Sequence, residues 1–159
     1  MGLIVIRPAI GDVVAIGANG KYYYALLLSR IQVFGAPLVF AFHQTSAQPL
    51  SVEQIVSPEA PGFHEFVDFI WAKRENRIFR PASKVDVKPF QKVRRFKNTF
   101  TTRGKANSWL IYDESFNELR RTKRLSAEER DYPLFHRIDD VLVCGLVDQQ
   151  WIPSKDPRI

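Results

Sequence analysis

The stretch "GDVVAIGANGKYYYALLL", residues 11–28, decides the fold that the rest of the sequence can adopt. Residues 13–16 are apolar and mostly β-branched, and residues 21–29 form a second run rich in aromatic and aliphatic side chains. Runs of this kind are typical of strands. Asn19-Gly20 between them is a preferred pair for a type I′ turn, because both central residues of that turn take positive φ. The stretch therefore predicts a β-hairpin.

The returning strand of this hairpin is apolar on both of its faces. Successive side chains of a strand point to opposite sides of the sheet. One face would carry Tyr22, Tyr24 and Leu26, and the other would carry Tyr23, Ala25 and Leu27. Because both apolar faces must be buried, we expect this strand at the centre of a sheet. Its tyrosines are then mainly structural.

Further elements follow along the chain. A third strand is predicted at 38–44, and a short helix capped by Ser51 is predicted at 51–56. Residues 63–72 fit either a strand or one face of a helix, and we favour the strand. Residues 109–113 and 116–126 are typical of a second hairpin, with its turn at 113–115.

The last predicted element is a helix over residues 134–147. Apolar residues recur there at spacings of three and four, which indicates an amphipathic helix; they are Leu134, Ile138, Val141, Leu142 and Leu146. The sequence thus predicts a β-rich α+β fold, with an N-terminal antiparallel curved sheet or half-open barrel and a C-terminal helix. We expect one domain over residues 1–159, with residues 152–159 as a tail.

Composition indicates a globular protein of a reducing compartment. Apolar residues make up 45% of the 159 residues, which excludes a disordered chain, and no apolar run is long enough to span a bilayer. The single cysteine, Cys144, excludes an internal disulfide. We therefore expect a cytoplasmic protein that does not engage a membrane.

Charge is distributed unevenly along the chain. Residues 73–124 hold sixteen Lys and Arg but only five acids, so this segment carries +11, whereas the rest carries −5 and the whole chain +6. Such asymmetry bears on partners rather than on the fold. The partner could be an acidic protein or a nucleic acid, and a plain solvated face would show the same charges.

No residue pattern predicts catalysis, a metal or another cofactor. The three histidines, His43, His64 and His136, lie far apart in sequence and show no metal-ligand spacing. Cys144 follows His136 by eight residues, too far for a hydrogen bond along one helix, so a core position is favoured over a nucleophile. An enzyme would require a pocket that joins His43, His64 and an acid. We expect a binding protein that performs no reaction.

Residues 88–105, "KPFQKVRRFKNTFTTRGK", interleave cations with Phe90, Phe96 and Phe100. Cations along a groove combined with aromatic stacking are what single-stranded nucleic acid binding needs. The same pattern arises where Phe anchors a strand and the charges face water. A nucleic-acid-binding module that uses this segment is therefore the alternative function.

The order of several motifs resembles the immunity protein 26 family. "GDVVAI", then "NGKYYYALLL" and "LVFAFHQ", are similar to the first three strands of that family. "SWLIYDE", the pattern at 125–133 and Trp151 are similar to its second half. The chain departs from the family pattern at Gly17 and Ala18, where proline and leucine are common, and at Ala25, where glycine is common.

The resemblance implies a small cytoplasmic protein that neutralises a toxin which bacteria deliver to competitors. Such a protein would bind its cognate toxin one to one, with basic residues steering towards an acidic toxin surface and aromatic residues as anchors. The predicted partner-binding residues are Arg74, Arg77, Arg94, Arg95, Lys97, Tyr23 and Trp71. For Trp71, packing in the core is the favoured alternative.

Overall fold

The computed structural model describes residues 4–5, 9–33, 35–75, 77–80, 84–103 and 105–159. Within these ranges the strands are β1 (Ile4–Val5), β2 (Val13–Ala18), β3 (Lys21–Val33), β4 (Ala36–Ser46), β5 (Gly62–Asp68), β6 (Ile78–Arg80), β7 (Arg95–Thr102), β8 (Lys105–Asp113), β9 (Glu118–Thr122) and β10 (Arg137–Asp139). The helices are α1 (Val52–Ile55), α2 (Ile70–Arg74), α3 (Ala127–Arg130) and α4 (Asp140–Asp148). The predicted β-rich α+β fold is confirmed.

Two sheets carry these strands. The larger sheet curls into a half-barrel with strand order β1-β6-β2-β3-β4-β5-β10. Its pairings are antiparallel except between β5 and β10, which run parallel. The smaller sheet is antiparallel, with order β7-β8-β9. The predicted curved N-terminal sheet and C-terminal helix are both present.

The hairpin of β2 and β3 forms as predicted. Asn19 (φ 54°) and Gly20 (φ 73°) both have the positive φ that a type I′ turn requires. β3 is the middle strand of the seven and is covered on both faces. The first core contains Tyr23, Ala25 and Leu27 together with residues of β8 and α4. The second core contains Tyr24, Leu26 and Leu28 together with Val52 and Ile55 of α1 and with Phe90 and Phe96.

The strand predicted over 63–72 is wrong in its second half. The chain leaves the sheet after Asp68 and forms α2 from Ile70. Among the described residues, β5 pairs with β4 only as far as Phe66 and with β10 only as far as Asp68. Phe69 and Ala72 are buried, which packs the short helix against the first core.

The helix predicted over 134–147 is wrong in its first half. Residues 137–139 form β10, which pairs with residues 66–68 of β5, and helix α4 begins only at Asp140. The Asp139 side chain accepts a hydrogen bond from the Leu142 backbone N–H (2.8 Å) and caps this later start. The inward face of α4 therefore consists of Asp140, Val143, Cys144 and Val147.

The C-terminal segment, predicted as a tail, packs onto the domain. Residues 153–155 form a 3₁₀ turn, and Pro153 and Asp156 are buried. Among the residues that the structure describes, no helix combines the length and apolar character needed to cross a membrane.

Candidate protein-binding surface

The N-termini of α2 and α4 are tied together by Asp140. This carboxylate is buried, and its Oδ1 accepts a hydrogen bond from the Trp71 backbone N–H (3.0 Å). Its Oδ2 lies 3.5 Å from Nη2 of Arg77, and Arg77 Nη1 donates to the carbonyl oxygen of Gly17 at the end of β2 (3.0 Å). Nε of Arg77 also pairs with Glu75. Arg77, a predicted partner-binding residue, is thus largely engaged within the protein and positions the two helices.

Large apolar side chains are exposed on these two helices. Trp71 is 43% exposed, Val141 59% and Leu142 57%, and Ile70 is exposed beside Trp71. Neighbouring exposed apolar residues on packed elements mark an interaction surface more often than isolated ones do. We call the group Ile70, Trp71, Arg74, Val141 and Leu142 the anchor patch. Core packing was the favoured alternative for Trp71, and the structure places this ring at the surface instead.

Arg74 lies over the ring of Trp71. Its Cζ is 5.4 Å from the ring centroid, within the range of a cation–π contact, and its side chain is exposed. The contact restricts both side chains and so lowers the conformational entropy that a partner would have to remove on binding. Trp and Arg are also the residue types enriched among those that dominate binding energy at protein interfaces.

A hollow of about 300 Å³ opens beside Val141. Its lining comprises Ala18, Asn19, Arg77, Asp140, Val141 and Cys144. The wall thus combines apolar surface with one paired Arg and one buried carboxylate. A hollow of this kind next to exposed apolar residues can receive a side chain of a bound protein.

Cys144 reaches this hollow but is only 3% exposed, and burial raises the pKa of its thiol to about 12. Because the thiolate is the reactive form, we expect the native protein to be inert towards Ellman's reagent at pH 8 and to release one equivalent of thionitrobenzoate after unfolding in urea. Rapid reaction of the native thiol would contradict the core position assigned to Cys144.

Tyr23 is not at the surface, which corrects its prediction as an anchor. The residue is 1% exposed because β3 is central and its ring lies in the first core. Its hydroxyl donates to Oδ2 of Asp148 (2.7 Å) and accepts from Nδ2 of Asn19 (3.1 Å). Lys21 also pairs with Asp148 (2.6 Å) and lowers the pKa of that carboxyl. This cluster joins the hairpin turn to the end of α4.

Lys97 is likewise not available to a partner. It is fully buried in β7, and its Nζ donates to the backbone carbonyl oxygens of Arg130 and Pro153. Its neighbours Arg94 and Arg95 are exposed and line a separate cleft of about 510 Å³ beside α3. The seven predicted residues therefore fall into three groups. Trp71 and Arg74 meet in the anchor patch, with Arg77 beneath it. Arg94 and Arg95 are exposed elsewhere, and Tyr23 and Lys97 are buried.

The aromatic residues of segment 88–105 do not form one exposed row. Phe90 and Phe96 are buried in the second core, whereas Phe100 is 66% exposed. Phe96 anchors β7 by packing against Phe66 and Phe116. Only Phe100 is thus placed to stack on a base.

The histidines take up separate structural roles. His43 donates to the carbonyl oxygen of Trp151 (2.8 Å) and His64 to that of Phe90 (2.7 Å), and burial lowers the pKa of His64. His136 lies 3.1 Å from Oε2 of buried Glu65, whose pKa is raised by burial and lowered in part by His136. The described part of the chain holds no group of three or more His, Cys, Asp and Glu side chains that could bind a metal.

Sequence reasoning missed Val141 and Leu142, which it assigned to the inward face of a longer helix. The signal that could have found them is Asp139-Asp140, since an N-cap there shifts the helical phase. Comparison with protein-family models, curated proteins and solved structures found no match to the chain. The resemblance to the immunity protein 26 family therefore stays a prediction.

Proposed function

We propose that this protein is a cytoplasmic immunity protein that binds a cognate antibacterial toxin through the anchor patch. The observation that carries the proposal of protein binding is the exposure of Trp71, under Arg74, on a helix that is tied to the start of α4, where Val141 and Leu142 are also exposed. The choice of a toxin as the partner rests on the sequence resemblance alone. The basic segment 73–124 supports a partner surface that is acidic.

The anchor patch would act as the centre of the interface. Removing Trp71, Val141 and Leu142 from water supplies the hydrophobic part of the binding energy. Arg74 would keep its contact with Trp71 and pair its outer nitrogens with a carboxylate of the toxin. Asp140 and Arg77 hold the two helices at fixed separation, so the surface needs little rearrangement on binding.

The exposed cations elsewhere in segment 73–124 would act at longer range. Arg94, Arg95 and Arg121 are exposed and lie on the smaller sheet or next to it. Charges of this kind raise the association rate rather than the lifetime of the complex. At 0.1 M salt, their interactions over distances beyond roughly 10 Å are largely screened. Salt should therefore slow association while leaving dissociation nearly unchanged.

The test begins with capture of the partner from the source cell by the full chain. Binding of the captured protein is then compared for wild type, Trp71→Ala and Arg74→Ala. We expect Trp71→Ala to weaken binding by at least about 30-fold, as for a central interface residue, and Arg74→Ala by about tenfold. Both altered side chains are exposed, so thermal unfolding of the variants should stay close to that of wild type.

Phe100→Ala is the matched control. Phe100 is more exposed than Trp71 but lies outside the anchor patch, so its removal should leave affinity unchanged. Equal losses from Phe100→Ala and Trp71→Ala would argue against the anchor patch as the binding surface. Capture of a protein that is not a toxin would support the protein-binding part of the proposal and reject the immunity function.

The nucleic-acid alternative is examined in the same preparation. The residues exposed for contact with a nucleic acid are Phe100 and the cations Arg94 and Arg95. If this alternative holds, the affinity of the protein for single-stranded RNA or DNA should fall steeply with salt. The slope of log affinity against log salt concentration is then set by the number of phosphates contacted. Recovery of RNA in place of a protein, together with this slope, would reject the proposed function.

A further inference from the structure

A third cavity lies on the opposite side of the large sheet from the anchor patch. Its volume is about 180 Å³, and its walls include Leu38, Phe90 and Phe96 of the second core. The anchor patch, by contrast, lies over the first core, to which Ala72 and Cys144 belong. A cavity of roughly 150 Å³ lined by Leu, Ile and Phe is large enough for benzene. The cavity is therefore large enough for one small ring.

Ser29 also lines this cavity. Ser29 Oγ is buried and has no hydrogen-bond partner among the residues that the structure describes. Because a buried hydroxyl without a partner costs free energy, Ser29 marks an energetically unfavourable part of the cavity wall. Ser29 pairs with Leu38 at a point where the ladder between β3 and β4 shifts register twice. Such irregularities often occur beside binding sites.

An ion pair of exposed residues lines the same cavity. Nη1 of Arg94 lies 3.3 Å from the carboxylate of Glu114, and the two side chains are 66% and 45% exposed. Exposed pairs of this kind contribute little to stability, so a ligand can replace either partner. The surrounding segment 73–124 carries +11, which favours an incoming anion over a cation.

The geometry points to a binding site for a small aromatic monocarboxylate. The ring would occupy the apolar space between Phe90 and Phe96, where aromatic contacts with edge or offset geometry are favourable. The carboxylate would displace Glu114 and form a bidentate pair with Arg94. This site lies apart from the anchor patch and does not rest on the proposed function, although Arg94 is also one of the steering cations named above.

The probes are benzoate, benzylamine and benzyl alcohol, titrated into the ¹⁵N-labelled full chain and followed by amide chemical shifts. We expect saturable binding of benzoate, with a Kd on the order of 1 mM or lower and shifts at residues around Leu38 and Phe90. Benzylamine and benzyl alcohol should bind at least about tenfold more weakly, because neither pairs with Arg94.

Two variants of the ion pair should change benzoate affinity in opposite directions. Arg94→Gln removes the cation and should weaken binding by about tenfold. Glu114→Gln removes the competing carboxylate and should strengthen binding. Both residues are exposed, so neither variant should disturb folding. Trp71→Ala serves as the control outside the cavity and should leave benzoate affinity unchanged.

Val93→Trp tests the cavity itself, since Val93 is half-buried and lines it. Val93 packs against the edge of the second core, so a larger side chain there should fill the cavity and block benzoate. The proposal is overturned if benzoate does not saturate, if benzylamine binds more tightly, or if Arg94→Gln leaves the affinity unchanged. None of these results would bear on toxin binding, which is measured separately through Trp71.

Discussion

Replacing Lys97 by methionine is expected to lower the free energy of unfolding by about 3 kcal/mol, measured by urea denaturation. The side chain is fully buried, and its ammonium group donates to the carbonyl oxygens of Arg130 and Pro153. Methionine preserves most of the stem but leaves both carbonyls without that donor. The contact between Nζ and the ring of Trp109, at 5.7 Å from the centroid, is also lost.

Lys92→Met is the control for this variant. Lys92 is exposed and close to Lys97 in sequence, so its loss should change the free energy of unfolding by less than about 0.5 kcal/mol. A Lys97→Met effect as small as that of the control would contradict the role of Lys97 in fixing the C-terminal segment. The ring of Trp109, which Lys97 contacts, is also contacted by Arg158 of the C-terminal segment. Cζ of Arg158 lies 5.6 Å from the centroid of that ring.

The stability of the wild type should also respond to the titration of Lys97. Burial lowers the pKa of this ammonium group to about 8, from an ordinary value of 10.5 that the unfolded chain retains. Between these values the unfolded state binds more protons than the folded state, so the contribution of Lys97 to stability rises with pH. The difference in unfolding free energy between wild type and Lys97→Met should therefore grow from pH 8 to pH 10.5. A difference that stays constant or shrinks across this window would contradict the lowered pKa.

Replacing Gly62 by alanine should also cost about 3 kcal/mol of stability, through steric overlap. A Cβ at this position would lie 2.3 Å from the carbonyl oxygen of Ala41 and 2.6 Å from the ring of Phe40. Gly62 pairs with Phe42 at the start of β5, so relief would require the two strands to separate. Thermal unfolding should show a clear fall in the Tm of Gly62→Ala.

Gly145→Ala is the matched control and should have the opposite sign. A Cβ on Gly145 meets no atom within 4 Å among the described residues, and the residue lies inside helix α4. Alanine in a helix interior is favoured over glycine by about 0.5–1 kcal/mol, so this variant should raise the Tm. A stabilising Gly62→Ala, or one without effect, would show that β4 and β5 adapt to the extra methyl group.

Local sequence signals predicted those elements whose partners are close along the chain. Asn19-Gly20 fixes the β2–β3 hairpin, because its turn geometry needs nothing from the rest of the protein. The capping box that Ser126 and Glu129 form at the start of α3 is likewise a local feature, although no helix is predicted there above. The errors at 63–72 and 134–147 have one shared cause, the parallel pairing of β5 with β10. That pairing joins residues 71 positions apart, and no local pattern reports it.

The candidate site shows the same contrast between what local sequence signals predict and what depends on distant contacts. The sequence supplied Trp71 and Arg74 as candidates through their residue types and the excess of positive charge. It could not show that Tyr23 and Lys97 are buried, because their exposure depends on contacts with α4 and with the C-terminal segment. It also assigned Val141 and Leu142 to the wrong face, because the start of α4 depends on β10.

The sequence by itself determined the fold class, the central two-faced strand β3 and the distribution of charge. These follow from side-chain alternation, turn chemistry and composition, which are properties of neighbouring residues. Only the tertiary structure decided which cations and rings reach the surface. Exposure is set by what packs against a side chain from distant parts of the chain, and at Trp71 the distant contact is with Asp140 of α4, which holds the backbone and leaves the ring at the surface.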